Sequence, residues 1–72
     1  MAGKKRMNLV KFRGNQAMTQ AQMANVCGVT MLTYSMVERC KRRGSDAFWK
    51  KLQEAFNIPD EDMWKLMQEQ EV

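Results

Sequence analysis

Histidine is absent from this 72-residue chain, and cysteine and proline are scarce, at two residues and one. Histidine is the usual general acid or base, and a nucleophilic cysteine would have no histidine beside it to activate it. Two cysteines are too few for a disulfide framework, and they are not spaced as a zinc-binding pair. We therefore expect a chain that is not an enzyme and that holds no metal or cofactor.

Long apolar runs are also missing. No segment approaches the ~20 consecutive apolar residues of a membrane-spanning helix, and the first residues contain no apolar signal core. These absences predict a cytoplasmic protein with no membrane association. The length suits a single domain without a separate sensing module, so we expect no small-molecule ligand.

Charge is distributed unevenly along the chain. Residues 1–51 contain eleven Lys and Arg against two acids, a balance of +9, whereas residues 52–72 contain one Lys against six acids, a balance of −5; together they give the net charge of +4. Such segregation is typical of a protein with one polyanion-binding face. The basic residues 1–7 have no apolar pattern, which predicts a flexible N-terminal arm before a single folded domain over residues 8–72.

Apolar spacing predicts five helices and no strand. Asn8 can cap a short first helix that breaks at Gly14, and Ser45 can cap a fourth helix that ends before Pro59. A fifth helix follows, with its acids at the start, where they favour the helix dipole. The residues assigned to the core are Phe12, Met23, Val37, Phe48, Leu52 and Phe56, whereas the placement of Trp49 and Trp64 stays open.

Two short helices joined by a tight turn are predicted between residues 19 and 39. Thr19 and Gln22 have the spacing of a capping box, Gly28 can end the first helix, and Thr30 can cap the second. Cys27 falls on the inner face of the first helix, where it is most simply a small buried hydrophobe. Helix, glycine turn and helix within about 20 residues is the helix-turn-helix unit, whose second helix enters the DNA major groove.

The chain resembles the phage-repressor and Cro family of helix-turn-helix domains, often called XRE-type, over residues 8–67. The residues that carry the resemblance are Arg13, the run Met18–Ala24, Gly28, Val29, Thr30, Glu38 and the run Phe48–Ile58. The resemblance implies a compact, all-α, five-helix, lambda-repressor-like domain. It also implies a bacterial or phage transcriptional regulator, a repressor that binds double-stranded DNA as a homodimer.

Two positions depart from the family pattern. Cys40 stands where a Gly usually follows the second helix, so we expect the turn to shift toward Gly44. Tyr34 occupies a core position more often held by Val or Ile, and it fits only if its hydroxyl reaches water or a partner.

By this resemblance, Met31, Leu32 and Met36 face the bases, and Gln20 bonds a phosphate. The full set of residues predicted to contact DNA is Gln20, Thr30, Met31, Leu32, Thr33, Ser35, Met36, Arg39, Lys41, Arg42 and Arg43. An apolar reading helix is unusual, because Met and Leu can contact only thymine methyl groups among the base edges of the major groove. The alternative is an antitoxin-like or adaptor module in which this apolar face binds a protein. We favour DNA, because the basic segments would have no obvious purpose in a protein contact.

Two further expectations concern self-association and redox chemistry. The apolar side of the last helix predicts a homodimer contact through Met63, Trp64 or Met67. The basic residues around Cys40 predict a lowered thiol pKa, the condition for a redox switch.

Overall fold

Five α-helices account for most of the chain in the computed structural model, which describes residues 3–72. In chain order the elements are β1 (Lys4–Lys5), α1 (Met7–Asn15), α2 (Gln20–Cys27), α3 (Met31–Glu38), α4 (Asp46–Phe56), α5 (Asp60–Met67) and β2 (Gln70–Glu71). The mostly helical, five-helix prediction is confirmed. The prediction of no strand is wrong at the two ends, where β1 and β2 pair antiparallel with Lys4 opposite Glu71.

Local capping chemistry explains where the middle helices begin and end. The Thr19 side chain accepts from the Gln22 N–H and the Gln22 side chain accepts from the Thr19 N–H, so the capping box is confirmed. Thr30 and Ser45 cap α3 and α4 in the same β-region backbone conformation. Gly28 ends α2 at φ 72°, a left-handed conformation that glycine adopts without a Cβ clash.

The first helix differs from its prediction. It begins at Met7 without a side-chain cap and continues through Gly14 to Asn15. Asn8 does not cap it, because its side-chain amide instead donates to the Lys65 carbonyl of α5 at 3.1 Å.

One apolar core joins all five helices. α2 packs chiefly on α3 and α4, and α1 packs on α5. The buried apolar residues are Leu9, Met23, Ala24, Cys27, Tyr34, Val37, Phe48, Trp49, Leu52, Ile58, Met63 and Leu66. Phe12 and Phe56, which were assigned to the core, are only partly buried and pack edge to face at 5.1 Å. The two tryptophans separate: Trp49 is buried and Trp64 is exposed.

The predicted flexible arm is wrong for residues 4–7. Lys4 and Lys5 form β1, Arg6 is buried, and Met7 starts α1. The reason is non-local, because the Arg6 guanidinium finds its acceptors at the far end of the chain and in the middle. Residues 1 and 2 of the predicted arm lie outside the described part. Over residues 3–72, no helix combines the length and apolar character that crossing a membrane requires.

The turn after α3 stays at Cys40 and does not shift to Gly44. Cys40 itself takes φ 58°, and the backbone N–H groups of Lys41 and Arg42 both donate to the Met36 carbonyl, at 2.8 and 3.3 Å. These bonds satisfy a carbonyl at the end of α3 that would otherwise have no intrahelical donor. Gly44 has φ 81°, so the loop between α3 and α4 contains two left-handed residues.

Candidate nucleic-acid interface

The α2–α3 pair holds one face of α3 against the core and leaves the other face outward. Met23 and Ala24 of α2 and Tyr34 and Val37 of α3 are buried. The turn between the helices is closed by the Val29 N–H, which donates to the Ala24 carbonyl at 3.0 Å. α3 is therefore fixed in position by packing on one side.

The outward face of α3 is apolar at its first turn. Met31 and Leu32 are 56% and 61% exposed, whereas Met36, one turn further, is half-buried. Ser35 is also half-buried. Of the three residues predicted to face the bases, Met31 and Leu32 present the larger apolar surface.

Two threonines order the start of α3. The Thr30 hydroxyl accepts from the Thr33 N–H at 3.2 Å and donates to the Thr33 hydroxyl at 3.1 Å. Thr30, predicted to contact DNA, is therefore engaged as the helix cap. Because the Thr33 hydroxyl oxygen accepts from Thr30, its own proton is available for another acceptor, such as a phosphate oxygen.

Four basic side chains follow α3 on the segment from residue 39 to 44, which we call the basic loop. All four are exposed: Arg39, Lys41, Arg42 and Arg43. An open groove of about 330 Å³ runs between α3, this loop and the start of α4, and Thr33, Arg42 and Arg43 are among the residues that line it. The structure thus brings together three of the predicted DNA contacts from separate parts of the sequence.

Gln20, which was predicted to bond a phosphate, has a partner within the protein. Its side-chain amide donates to the Glu38 carboxylate at 2.9 Å. The same carboxylate accepts from the Arg13 guanidinium at 2.7 Å, and Arg13 also donates to the Met18 carbonyl. Glu38 is buried, so these donors offset the loss of water around its charge. The bond to Glu38 also raises the pKa of Arg13.

All three residues of this Arg13–Gln20–Glu38 network are among those that carry the family resemblance. Their contact with one another was not predicted. Arg13 lies in the last turn of α1, Gln20 begins α2 and Glu38 ends α3. The network therefore joins the ends of three helices. An amide nitrogen has two N–H groups, so a phosphate contact by Gln20 would use the second.

Tyr34 lies in the core without the hydrogen bond that was expected. Its ring stacks on Phe48 at 5.9 Å, and within the described chain its buried hydroxyl has no hydrogen-bond partner. Burial, and after it the nearby Glu38 carboxylate, raises the pKa of Tyr34 far above its usual value.

The thiol of Cys40 does not have the lowered pKa that the sequence predicted. Burial raises the pKa of Cys40, and the cation that opposes this effect most strongly is Arg6 rather than a neighbour in sequence. Burial likewise raises the pKa of Cys27 to about 11. Both thiols are thus less ionised than usual at neutral pH, which argues against a redox switch.

Arg6 is the residue that sequence reasoning missed. Its guanidinium donates to the carbonyls of Val37 and Arg42 and pairs with Glu69. The only hint in the sequence is the opposite charge of the C-terminal segment, which does not specify a partner.

The residues predicted for a dimer contact divide between core and surface. Met63 is only 7% exposed and belongs to the core, which leaves Trp64 and Met67 as the candidates on the surface. Trp64 and Met67 are 66% and 42% exposed on α5.

Comparison of the chain with protein-family models, with curated proteins and with solved structures finds no match.

Proposed function

We propose that the chain is a helix-turn-helix domain of the phage-repressor and Cro type, with a lambda-repressor-like arrangement of helices, that binds double-stranded DNA. α3 is the recognition helix and the basic loop contacts the backbone. The observation that carries the proposal is the exposed first turn of α3, whose Thr33 lines one groove with Arg42 and Arg43 of the basic loop. A major groove admits an α-helix, and phosphates flank it on both sides.

The backbone contacts come from the groove beside α3. Arg42 and Arg43 line it, and the Thr33 hydroxyl proton can be donated to a phosphate oxygen. The N-terminus of α2, at Gln20, adds backbone N–H groups that favour an anion. These contacts position the protein on the duplex but do not select a sequence.

Sequence selection comes from the apolar first turn of α3. Met31 and Leu32 match only one feature of the base edges in the major groove, the thymine methyl group. The proposal therefore includes a preference for A·T pairs at the positions that α3 contacts.

The regulatory role follows from occupancy of a promoter. A domain of this size that covers the major groove excludes other proteins from the same site, which makes repression the simplest mode of action. The exposed Trp64 and Met67 on α5 are the surface we propose for a two-fold contact, and a two-fold dimer reads a palindromic site.

The experiment is selection of duplexes from a random pool at physiological salt, followed by titration of the selected duplex at several salt concentrations. The logarithm of the association constant is expected to fall with a slope of about −0.9 per neutralised phosphate. Replacing Arg42 and Arg43 together by Ala should weaken binding to all sequences and flatten this slope by up to ~2 units.

The matched control is the double variant Lys11→Ala with Lys65→Ala. It removes the same charge, but both lysines line a different groove, formed with Phe56, Pro59 and Leu66. The control should leave the slope nearly unchanged. Equal slopes for the two double variants would remove the basic loop from the interface.

The second candidate is a protein-interaction module, favoured by the exposed apolar pair Met31 and Leu32. It predicts that replacing both by Ala abolishes binding to a protein partner and leaves DNA selection intact. The DNA proposal predicts the reverse, a loss of discrimination between the selected duplex and others.

A further inference from the structure

Arg6 connects three parts of the chain that are distant in sequence. Its side chain is 3% exposed and donates to the carbonyls of Val37 at the end of α3, Arg42 in the basic loop and Met67 at the end of α5. The guanidinium also pairs with the Glu69 carboxylate at 3.3 Å. Burying a guanidinium is costly unless its N–H donors are satisfied. The acceptors around Arg6 must therefore keep their positions for the buried charge to stay satisfied.

Trp49 adds a second attachment to the basic loop. Its indole N–H donates to the Arg43 carbonyl at 3.2 Å, and the Arg6 guanidinium lies 5.7 Å from the centroid of its ring. The backbone carbonyls of Arg42 and Arg43 are therefore both held by buried side chains, while their own side chains remain exposed.

The terminal strands place the two members of the ion pair. β1 directly precedes Arg6, and β2 directly follows Glu69. The strands pair with each other, and outside the ladder the Val72 N–H donates to the Gly3 carbonyl at 3.1 Å. The pairing brings Arg6 and Glu69 together, and the Arg6 guanidinium then reaches the Arg42 carbonyl of the basic loop.

We propose that Arg6 is a positioning residue for the basic loop. Together with Glu69 and Trp49 it fixes the loop backbone, so that Arg42 and Arg43 line the groove beside α3 in the geometry that phosphates require. The inference rests on the proposed function, because the loop's ligand is taken to be the DNA backbone. Arg6 acts through the loop and contacts no DNA.

The test uses two variants of different severity and one matched control. Arg6→Lys keeps the charge but replaces a planar fork of five donors by a single ammonium that cannot reach all four acceptors. Glu69→Gln weakens the ion pair at a side chain that is 44% exposed, so it should not prevent folding. Glu54→Gln removes the same charge from an exposed position on α4 and serves as the control.

The first measurement needs no DNA. Hydrogen exchange followed by NMR reports the amides of Lys41 and Arg42, which donate to the Met36 carbonyl, and the indole N–H of Trp49. Arg6→Lys should accelerate exchange at these three sites by about tenfold, which corresponds to local opening of the loop. Glu69→Gln should have a smaller effect at the same sites, and Glu54→Gln should have none.

The second measurement is DNA affinity at several salt concentrations. Arg6→Lys, with its helical circular dichroism intact, should weaken binding to all duplexes by about tenfold and flatten the salt slope by up to ~2 units. In a chain that already carries Arg42→Ala and Arg43→Ala, Arg6→Lys should cause no further loss, because the contacts it positions are gone.

The outcomes separate the two proposals. If the wild-type chain binds DNA and Glu69→Gln equals Glu54→Gln in both exchange and affinity, the positioning role is overturned, whether or not Arg6→Lys folds. Hydrogen exchange in the loop could respond as predicted while no duplex binds in a salt-dependent manner. That result would contradict the proposed DNA binding, and therefore also the role of Arg6 in positioning phosphate contacts. An additive loss in the Arg42 and Arg43 background would also contradict the proposal, because Arg6 would then act elsewhere.

Discussion

At the scale of single residues, polar groups in the core differ sharply in how well they are satisfied. Glu38 is buried with three donor contacts from Arg13 and Gln20, whereas the equally buried Tyr34 hydroxyl has none within residues 3–72. A buried hydroxyl without a partner costs roughly 1–3 kcal/mol. Tyr34 is therefore retained at a cost, offset by ring packing against Phe48.

This contrast predicts the effect of Tyr34→Phe. Removing the hydroxyl and keeping the ring should raise the free energy of unfolding by about 1 kcal/mol, because the unsatisfied group is lost and the stacking remains. Urea denaturation followed by circular dichroism gives the value. As a control, Tyr34→Ala removes the ring as well and should lower stability by roughly 3–5 kcal/mol. A clear loss of stability in Tyr34→Phe would mean that the hydroxyl has a partner after all.

At the scale of elements, the backbone is strained at Cys40, just after α3. A glycine at this position would relieve the strain. Cys40 has φ 58°, a region in which a non-glycine residue costs about 1–2 kcal/mol. Cys40→Gly should relieve this strain but should also make the unfolded chain more flexible, which favours unfolding. We expect a net rise of about 1 kcal/mol in the free energy of unfolding. Cys40→Ala is the matched control, since it removes the thiol but keeps the Cβ atom.

Thermal unfolding of the two variants checks this prediction. Cys40→Gly should melt above the wild type and Cys40→Ala should not. If both variants melt at the same temperature, the left-handed geometry at this position is not what limits the stability of the turn.

The elements also show which parts of the structure the sequence could predict. The caps at Thr19, Thr30 and Ser45 and the turn at Gly28 were predicted, because each depends on residues within four positions of one another. The spacing of apolar residues placed Phe48 and Leu52 of α4 in the core, but Phe56 is only partly buried and the buried Trp49 was left open. The outward position of Met31 and Leu32 was implied by the family resemblance, and both side chains are exposed, whereas Met36 of the same predicted set is half-buried.

The contacts that were missed are all distant in sequence. Arg6 pairs with Glu69, Gln20 bonds Glu38, and β1 pairs with β2. A charge or an amide in a single sequence is compatible with many partners, and only the packing of the helices selects one. The Cys40 pKa was misjudged for the same reason, because neighbours in sequence were counted and burial was not.

At the scale of the whole molecule, two buried groups, the Cys27 thiol and the Tyr34 hydroxyl, make the stability of the fold fall at alkaline pH. The pKa of Cys27 is about 11 in the folded chain against a usual 9.0, because burial disfavours the thiolate. The folded state keeps a proton that the unfolded state has lost, so this stability is fully present below pH 9 and is lost as the pH rises through 11. The slope is roughly 1.4 kcal/mol per pH unit for one group, and Tyr34 adds to it above pH 10.

Urea titrations at pH 7, 9, 10 and 11 test this dependence. Cys27→Ala should unfold more easily than the wild type at pH 7 but should lose less stability between pH 9 and 11, because the buried thiol no longer titrates. Parallel curves for the two proteins would show that the thiol ionises as readily in the folded chain as in the unfolded one.

On the whole molecule, the first turn of α3 exposes Met31 and Leu32, and the central claim is that this turn reads DNA. The most direct test compares the duplex selected from the random pool with the same duplex carrying uracil for thymine at the contacted positions, which removes only the C5 methyl groups. We predict that each methyl group removed weakens the binding of the wild-type chain to the duplex by about fourfold. This factor corresponds to the free energy of burying one methyl-sized group. A chain with Met31→Ala and Leu32→Ala should bind both duplexes equally. Equal wild-type affinity for thymine and uracil duplexes would contradict the account of how α3 reads DNA, and failure to select any duplex would contradict DNA recognition itself.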